Sequence, residues 1–388
     1  MDYLKELPKR FLMDGTKLLW YPNELDKFAK GERINPLTVD MGIHKGCNMF
    51  CKFCYGFFQH KSKEFIPTSA LLRFAKDAGK AGVKGVAIIG DGEPTLNMGL
   101  YPFVQALTDN GVRSAVATNG LLLDSRKIDI LVKNCSWLRF NVSGIRDKYS
   151  DIHRGTTTED FYRLEKLIKY AVGHKGNCTI GLQMVLIPEC FEQVVDYAKW
   201  AVELGVDYAQ IKQFSDAGEG MPMHFDIGKY KEVREGLEEA EGLSNSQTQI
   251  IIKWKAMKDS ERITMGKSWG FDKCLDLPFL FQISGNGKCY PCGYLFNNKK
   301  YCYGDITKES LISILGSQRY WDIIREIGNT PLKELCSGQC RHCSSLKFID
   351  KFLKGYTGNT IDTLIKMCGS RKQYELLRDN KPEHVEFL

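Results

Sequence analysis

Gly46-Cys47-Asn48-Met49-Phe50-Cys51-Lys52-Phe53-Cys54-Tyr55 places three thiols at C-x3-C-x2-C spacing. Iron–sulfur cubes are normally held by four cysteine thiolates, and closed structural zinc sites by four protein ligands. A tight group of three is therefore expected to hold a cluster with one iron open to another ligand. The apolar run Leu37–Ile43 reads as a strand ending just before Cys47, so the cysteines occupy a loop at the C-terminal end of a strand.

Working outward, the same unit recurs. Further strands are expected at Gly85–Ile89, Ser114–Thr118, Trp137–Val142, Cys178–Val185 and Tyr208–Lys212. Helical spacing fills the gaps at Ser69–Ala81, Gly99–Asp109, Ser125–Lys133, Asp160–Val172 and Phe191–Leu204. Alternation of this kind argues for an α/β fold with a parallel sheet, and six units make a partial (β/α)6 TIM-like barrel. Chemistry in such sheets sits at the C-terminal strand ends, which is where the cysteine loop falls.

After the second strand comes Gly90-Asp91-Gly92-Glu93-Pro94-Thr95, 36 residues beyond Cys54 at its first glycine. Glycine permits a tight turn and proline fixes it. With the cysteine triplet, this turn resembles the radical S-adenosylmethionine (SAM) superfamily, whose Gly-Gly-Glu-Pro motif it matches except at Asp91. The resemblance implies a [4Fe–4S] cluster on Cys47, Cys51 and Cys54, its free iron chelated by SAM. Reductive cleavage of SAM then gives a 5′-deoxyadenosyl radical that takes a hydrogen atom from a substrate. It implies SAM contacts from Phe53, Gly90, Gly92, Glu93, Pro94 and Asn119. Ser143, at the end of the fourth strand, is implied as a ribose ligand. Arg154 is implied as a partner of the SAM carboxylate, the alternative being a surface arginine. His153 reads as structural or solvent-exposed.

Eight of the 14 cysteines lie from Cys274 onward. Cys274 and Cys292 have 17 residues between them, and Cys340 and Cys343 form a C-x2-C pair. This region resembles the twitch or SPASM-like extension of the same enzymes, a smaller cysteine-rich α+β domain. That implies an auxiliary [4Fe–4S] cluster on Cys274, Cys292, Cys340 and Cys343. Cys336 is an alternative to either member of the pair. Cys289, Cys302, Cys336 and Cys368 would suffice for a second cluster, and zinc accepts the same thiolates. Gly285–Gly287 reads as a hairpin turn. The expected organisation is an N-terminal flank over 1–36, a radical SAM core over 37–215, a linker and helix over 216–260, and an auxiliary-cluster domain with a C-terminal cap over 261–388. Residues 1–36 and 369–388 carry no chemical signal.

A length of 388 residues suits two domains, and 26% charged residues is ordinary for a globular chain. The net charge of +7 includes no long basic block, which argues against nucleic acid. No signal peptide or membrane span is legible, so a cytoplasmic location is expected and metal ligation is the better use for the cysteines. Only 46 residues precede Cys47. This favours a small polar substrate, such as a sugar, nucleotide sugar or aminocyclitol, over a ribosomal peptide bound through a fused leader domain. The expected reaction is an oxidation with the auxiliary cluster as electron acceptor and a flavodoxin- or ferredoxin-type donor. A peptide maturase is the alternative, and a zinc-binding interaction protein the remote one. No catalytic base is assigned. Glu189, Lys212 and Asp216 are candidates by position, and Cys190 is a candidate hydrogen donor.

Overall fold

The structure is a computed structural model describing residues 4, 10–11, 15–216, 219–224, 226–264, 271–336 and 343–388. Its strands are β1 Thr38–Met41, β2 Phe50–Cys51, β3 Gly85–Ile88, β4 Arg113–Thr118, β5 Cys135–Asn141, β6 His153–Arg154, β7 Thr179–Leu186, β8 Tyr208–Gln213, β9 Gln249–Ile252, β10 Leu280–Ile283, β11 Lys288–Tyr290 and β12 Gly304–Asp305. Ten form one sheet in the order β12-β11-β10-β1-β3-β4-β5-β7-β8-β9. The stretch from β10 to β9 is parallel throughout, and β11 and β12 add antiparallel at one edge.

The six expected strands are all present and joined by helices. Two more parallel strands flank them. β9 lies in the segment expected to be linker and helix, and β10, from the cysteine-rich region, pairs with β1. The barrel wall is thus wider than six strands and runs directly into the auxiliary region. The short pair β2–β6 joins the cysteine loop to His153–Arg154.

Alternation along the strands sorts the side chains. Val39, Val86, Val116, Leu138, Leu182 and Ile211 belong to the main core with the helices. The helix Thr68–Ala81 turns Leu71, Phe74, Ala75 and Ala78 inward, and its C-cap Gly82 takes the left-handed conformation at φ 79°. The opposite strand faces line a lumen. There Ala87, Ala115 and Ala117 pack with Trp137 and Phe387. The chain termini, silent in sequence, close this lumen from below. Lys17 Nζ donates to the carbonyls of His384 and Phe387, and Thr38 Oγ1 donates to the carbonyl of Glu386. Leu18, Leu25, Phe279, Phe348, Phe352 and Leu364 build a second core joining the N-terminal helix to the last helices.

Candidate active site and iron–sulfur centres

Cys47, Cys51 and Cys54 lie on the loop leaving β1 and line a cavity of about 930 Å³. Burial and the Glu93 carboxylate push the Cys47 thiol up to about 11. Burial, then the neighbouring Cys54 and Cys47, also raises Cys51. Raised thiols such as Cys47 and Cys51 give up their protons more readily beside a cationic centre, and with Cys54 beside them the donor set fits a three-cysteine iron–sulfur site. Cys51 Sγ is 3.0 Å from His153 Nδ1, and the Phe53 ring meets the same imidazole edge-on at 5.6 Å. His153 is fully buried, a role sequence did not signal because its pairing depends on the short β2–β6 ladder.

The Gly90–Pro94 turn packs against this loop without space for side chains. A Cβ on Gly90 would sit 1.9 Å from Gly42 Cα, and one on Gly92 would sit 2.2 Å from the His44 carbonyl oxygen. Glu93 is fully buried, and burial raises its pKa. Its carboxylate accepts hydrogen bonds from Asn119 N at 2.8 Å, Thr95 Oγ1 at 2.7 Å and Thr118 Oγ1. Glu93 therefore binds the turn to the end of β4, and its own N–H donates to the Gly46 carbonyl. Pro94 is buried behind the turn. Asn119 Nδ2 donates to Asn48 Oδ1 at 2.8 Å and approaches Cys47 Sγ at 3.8 Å.

Asp91, the departure from the family pattern, has a visible use. Its buried carboxylate accepts from Ser284 Oγ at 2.6 Å and Gly285 N at 2.8 Å, with Lys45 Nζ at 4.0 Å. It clamps the turn to the β10–β11 hairpin.

Two expected SAM contacts stand elsewhere. Ser143 is buried, and its hydroxyl accepts from Val185 N at 2.9 Å, which ties β5 to β7. It does not line the cavity; Asn141 and Gln183 do. Arg154 is exposed on β6 and is likewise outside the lining. Among the four catalytic candidates, only Lys212 lines the cavity. Glu189 pairs with Lys52 at 3.2 Å on the surface. Cys190 is buried against the Ile187 carbonyl at 3.2 Å. Asp216 holds His224 Nδ1 at 2.8 Å. Loop residues at strand ends cannot be aimed from sequence, whereas Arg139, Gln183 and Gln210 were hidden inside strands.

The second cysteine group opens onto the same cavity through Cys292, Cys336 and Cys343. Burial, then Asp276, Cys292 and Cys336, raises the Cys274 thiol, and burial with Cys336 pushes Cys292 up to about 12. Cys336, the alternative that the spacing left open, stands near Cys274 and Cys292, while Cys340 lies outside the described residues. Cys289 and Cys302 neighbour each other and do not line the cavity. Four thiols crowded in this way fit a second iron–sulfur cluster. Gln59 Nε2 donates to the Gly293 carbonyl at 3.1 Å and Lys45 Nζ to Asn297 Oδ1 at 3.0 Å, which holds the two cysteine regions together.

Comparisons agree with this geometry. Residues 41–201 match the radical SAM superfamily, and residues 274–344 match an iron–sulfur cluster-binding domain, SPASM. A tungsten-containing aldehyde ferredoxin oxidoreductase cofactor-modifying protein of Pyrococcus furiosus is 23% identical over 72% of this chain and 80% of its own. An AdoMet-dependent heme synthase of Methanosarcina barkeri is 23% identical over 67% and 77%. An S-adenosylmethionine-dependent nucleotide dehydratase of Flammeovirga pacifica is 26% identical over 33% of this chain, and the match spans only 45% of that protein. The fold is shared with Streptococcus suis SuiB bound to S-adenosylmethionine, with a TM-score of 0.60, 16% identity, and coverage of 84% of this chain and 76% of that one. It is also shared with anSMEcpe bound to AdoMet, with a TM-score of 0.57, 17% identity and coverage of 90% and 100%. Among the described residues, no helix is long and apolar enough to cross a membrane. A three-cysteine loop at the mouth of a parallel barrel, followed by a second cysteine centre facing the same cavity, makes this chain a member of the radical SAM superfamily with a C-terminal SPASM iron–sulfur domain.

Proposed function

We propose that the protein is a radical SAM oxidoreductase that dehydrogenates a small polar substrate held between two iron–sulfur centres. The observation that carries this reading is that both cysteine groups line one cavity of about 930 Å³. When bound there, SAM on the first cluster supplies hydrogen-atom abstraction and the auxiliary cluster accepts the remaining electron. The chain's own part is to hold and orient. Cys47, Cys51 and Cys54 ligate the first cluster. Phe53, the Gly90–Pro94 turn and Asn119 shape the SAM site, with Glu93 fixing the turn from behind. Cys274, Cys292, Cys336 and Cys343 supply the auxiliary ligands.

Two points support a small substrate. The lumen is walled by β5, β7 and β8 with Asn141, Gln183 and Gln210, groups that match hydroxyls and amides. Two of the relatives are named for small-molecule reactions, a nucleotide dehydratase and a heme synthase.

The test is anaerobic turnover of reconstituted enzyme with SAM and dithionite, following 5′-deoxyadenosine by mass spectrometry. Nucleotide sugars, sugar phosphates, aminocyclitols and peptides form the panel. Deoxyadenosine made only with a small polar compound, with a product two mass units lighter, is the expected result. Stimulation by peptides alone would move the protein to peptide maturation.

A further inference from the structure

The polar part of the lumen, along β5, β7 and β8, carries two cations, Arg139 and Lys212. Arg139 on β5, Gly181 on β7 and Tyr208 on β8 stand side by side in register. A Cβ on Gly181 would lie 2.2 Å from the Tyr208 ring, so glycine is what lets that ring lie across the sheet. The Tyr208 hydroxyl reaches the Arg139 guanidinium, whose carbon lies 5.2 Å from the Trp137 ring centre. One layer nearer the strand ends, Gln210 Nε2 donates to Gln183 Oε1 at 2.9 Å, and Gln183 Nε2 donates to Asn141 Oδ1 at 3.2 Å. Lys212 follows two residues along β8. Arg139 and Lys212 both line the cavity.

Among the described residues, neither cation is ion-paired with a carboxylate, and Arg139 Nε is buried without an acceptor. Burial and the Arg139 guanidinium push the Lys212 ammonium down to about 8. Two neighbouring cations that lack a paired carboxylate bear desolvation and mutual repulsion, and a bound anion relieves both. A guanidinium forks onto two oxygens, and an ammonium adds a point charge beside it.

We propose that Arg139 and Lys212 form an oxyanion-binding subsite, so that the substrate carries a phosphate or carboxylate group directed at β5 and β8. This deepens the dehydrogenase reading and rests on its assignment of the cavity to substrate. The adjoining strands β3 and β4 present Ala87, Ala115 and Ala117, which offer an anion no donor. SAM's own carboxylate is the other oxyanion available to the cavity. Arg139 lies two residues inside the end of β5, whereas the Gly90–Pro94 turn lies beyond the end of β3. That depth assigns Arg139, the guanidinium of the subsite, to substrate rather than to SAM.

The test is isothermal titration calorimetry on anaerobic holoenzyme, with pyrophosphate and with succinate, in the presence and absence of saturating SAM. The SAM-loaded parent should bind at least one probe. Arg139→Gln and Lys212→Met should each weaken that binding by about tenfold or more, while Arg139→Lys and Lys212→Arg keep part of it. SAM affinity and iron content should stay at the parent level in all four. Preference for pyrophosphate would mark a phosphoryl group, and preference for succinate a carboxylate. Anion binding abolished by SAM, or variants that lose SAM instead, would overturn the assignment in favour of SAM's carboxylate. A parent that binds neither probe, or variants that bind as the parent does, would also overturn it. The titration needs no turnover. Anion binding without substrate oxidation therefore counts against the dehydrogenase reading and leaves the subsite standing.

Discussion

The His153 imidazole donates to Cys51: Nδ1 lies 3.0 Å from Cys51 Sγ, while Nε2 accepts the backbone N–H of Ser143 at 2.8 Å. A backbone N–H can only donate, so Nε2 is the bare nitrogen. Burial pushes His153 down to about 3, and the neutral ring's single hydrogen is left on Nδ1, aimed at sulfur. Hydrogen bonds to ligating sulfurs set cluster potentials, because they favour the more negative, reduced state. His153→Phe keeps a ring and removes the donor. The midpoint of the Cys47 cluster should fall by roughly 40 mV, about 1 kcal/mol for one electron. Redox titration followed by electron paramagnetic resonance reads this directly. An unchanged midpoint would leave the ring a packing role alone.

Gly92→Ala should abolish SAM binding in a folded protein. The added methyl meets the carbonyl oxygens of His44 at 2.2 Å and Gly46 at 2.3 Å, and neither can move without displacing the cysteine loop. Circular dichroism should match the parent while equilibrium dialysis finds SAM affinity reduced by about a hundredfold or more, in line with a misplacement of about 1 Å at a site. Retained SAM affinity would show that the turn tolerates a shift.

Removing Asp91 should loosen the link between the barrel and the β10–β11 hairpin. Asp91→Gly restores the commoner family residue but deletes the acceptor for Ser284 and Gly285 and leaves Lys45 buried. A loss of about 1–3 kcal/mol is expected, seen as a lower unfolding temperature with cluster content preserved. A variant as stable as the parent would show the clamp to be dispensable.

Iron analysis separates the cysteines. Cys292→Ala, Cys336→Ala and Cys343→Ala should each lose one cluster's worth of iron and sulfide and retain the Cys47 cluster. Cys289→Ser and Cys302→Ser should lose none, since neither thiol lines the cavity. Iron loss from the second pair would call for another auxiliary cluster.

The floor of the barrel should be acid-sensitive. Burial, then Lys17, pushes His384 down to about 4, from an ordinary 6.5. Between these values the unfolded chain binds the extra proton, so stability is present above 6.5 and lost as pH falls towards 4. From pH 7 to pH 5 this group should cost about 2 kcal/mol. His384→Gln should show a correspondingly shallower fall in unfolding temperature across that range. An equal slope in both proteins would remove His384 as the cause.

Much of this was legible because two kinds of signal are local. The six strands and their helices announce themselves by periodicity, and the Cys47 and Gly90 motifs by spacing; the structure moves their ends by only a few residues. What failed was whatever depends on partners far along the chain. β10 is too short to distinguish from any apolar run until β1 is beside it. Ser143 faces Val185 N rather than the cavity because of where β7 lies. His153 and Arg154 are adjacent in sequence, yet β6 buries one and exposes the other. Cys336 stood as an alternative to Cys340 or Cys343 because spacing does not say which thiols converge with Cys274 and Cys292.

β1 is an interior strand only because β10 covers its outer side, and the two are separated by more than 230 residues of chain. During synthesis the β1–β3–β4 portion emerges with one flank bare, and that edge carries the thiol loop. It stays an open template for wrong pairing until the ribosome has passed Ile283. Expression halted near residue 260 should therefore give aggregates rather than a free-standing barrel, because the flank of β1 that bears the thiol loop lacks its β10 cover.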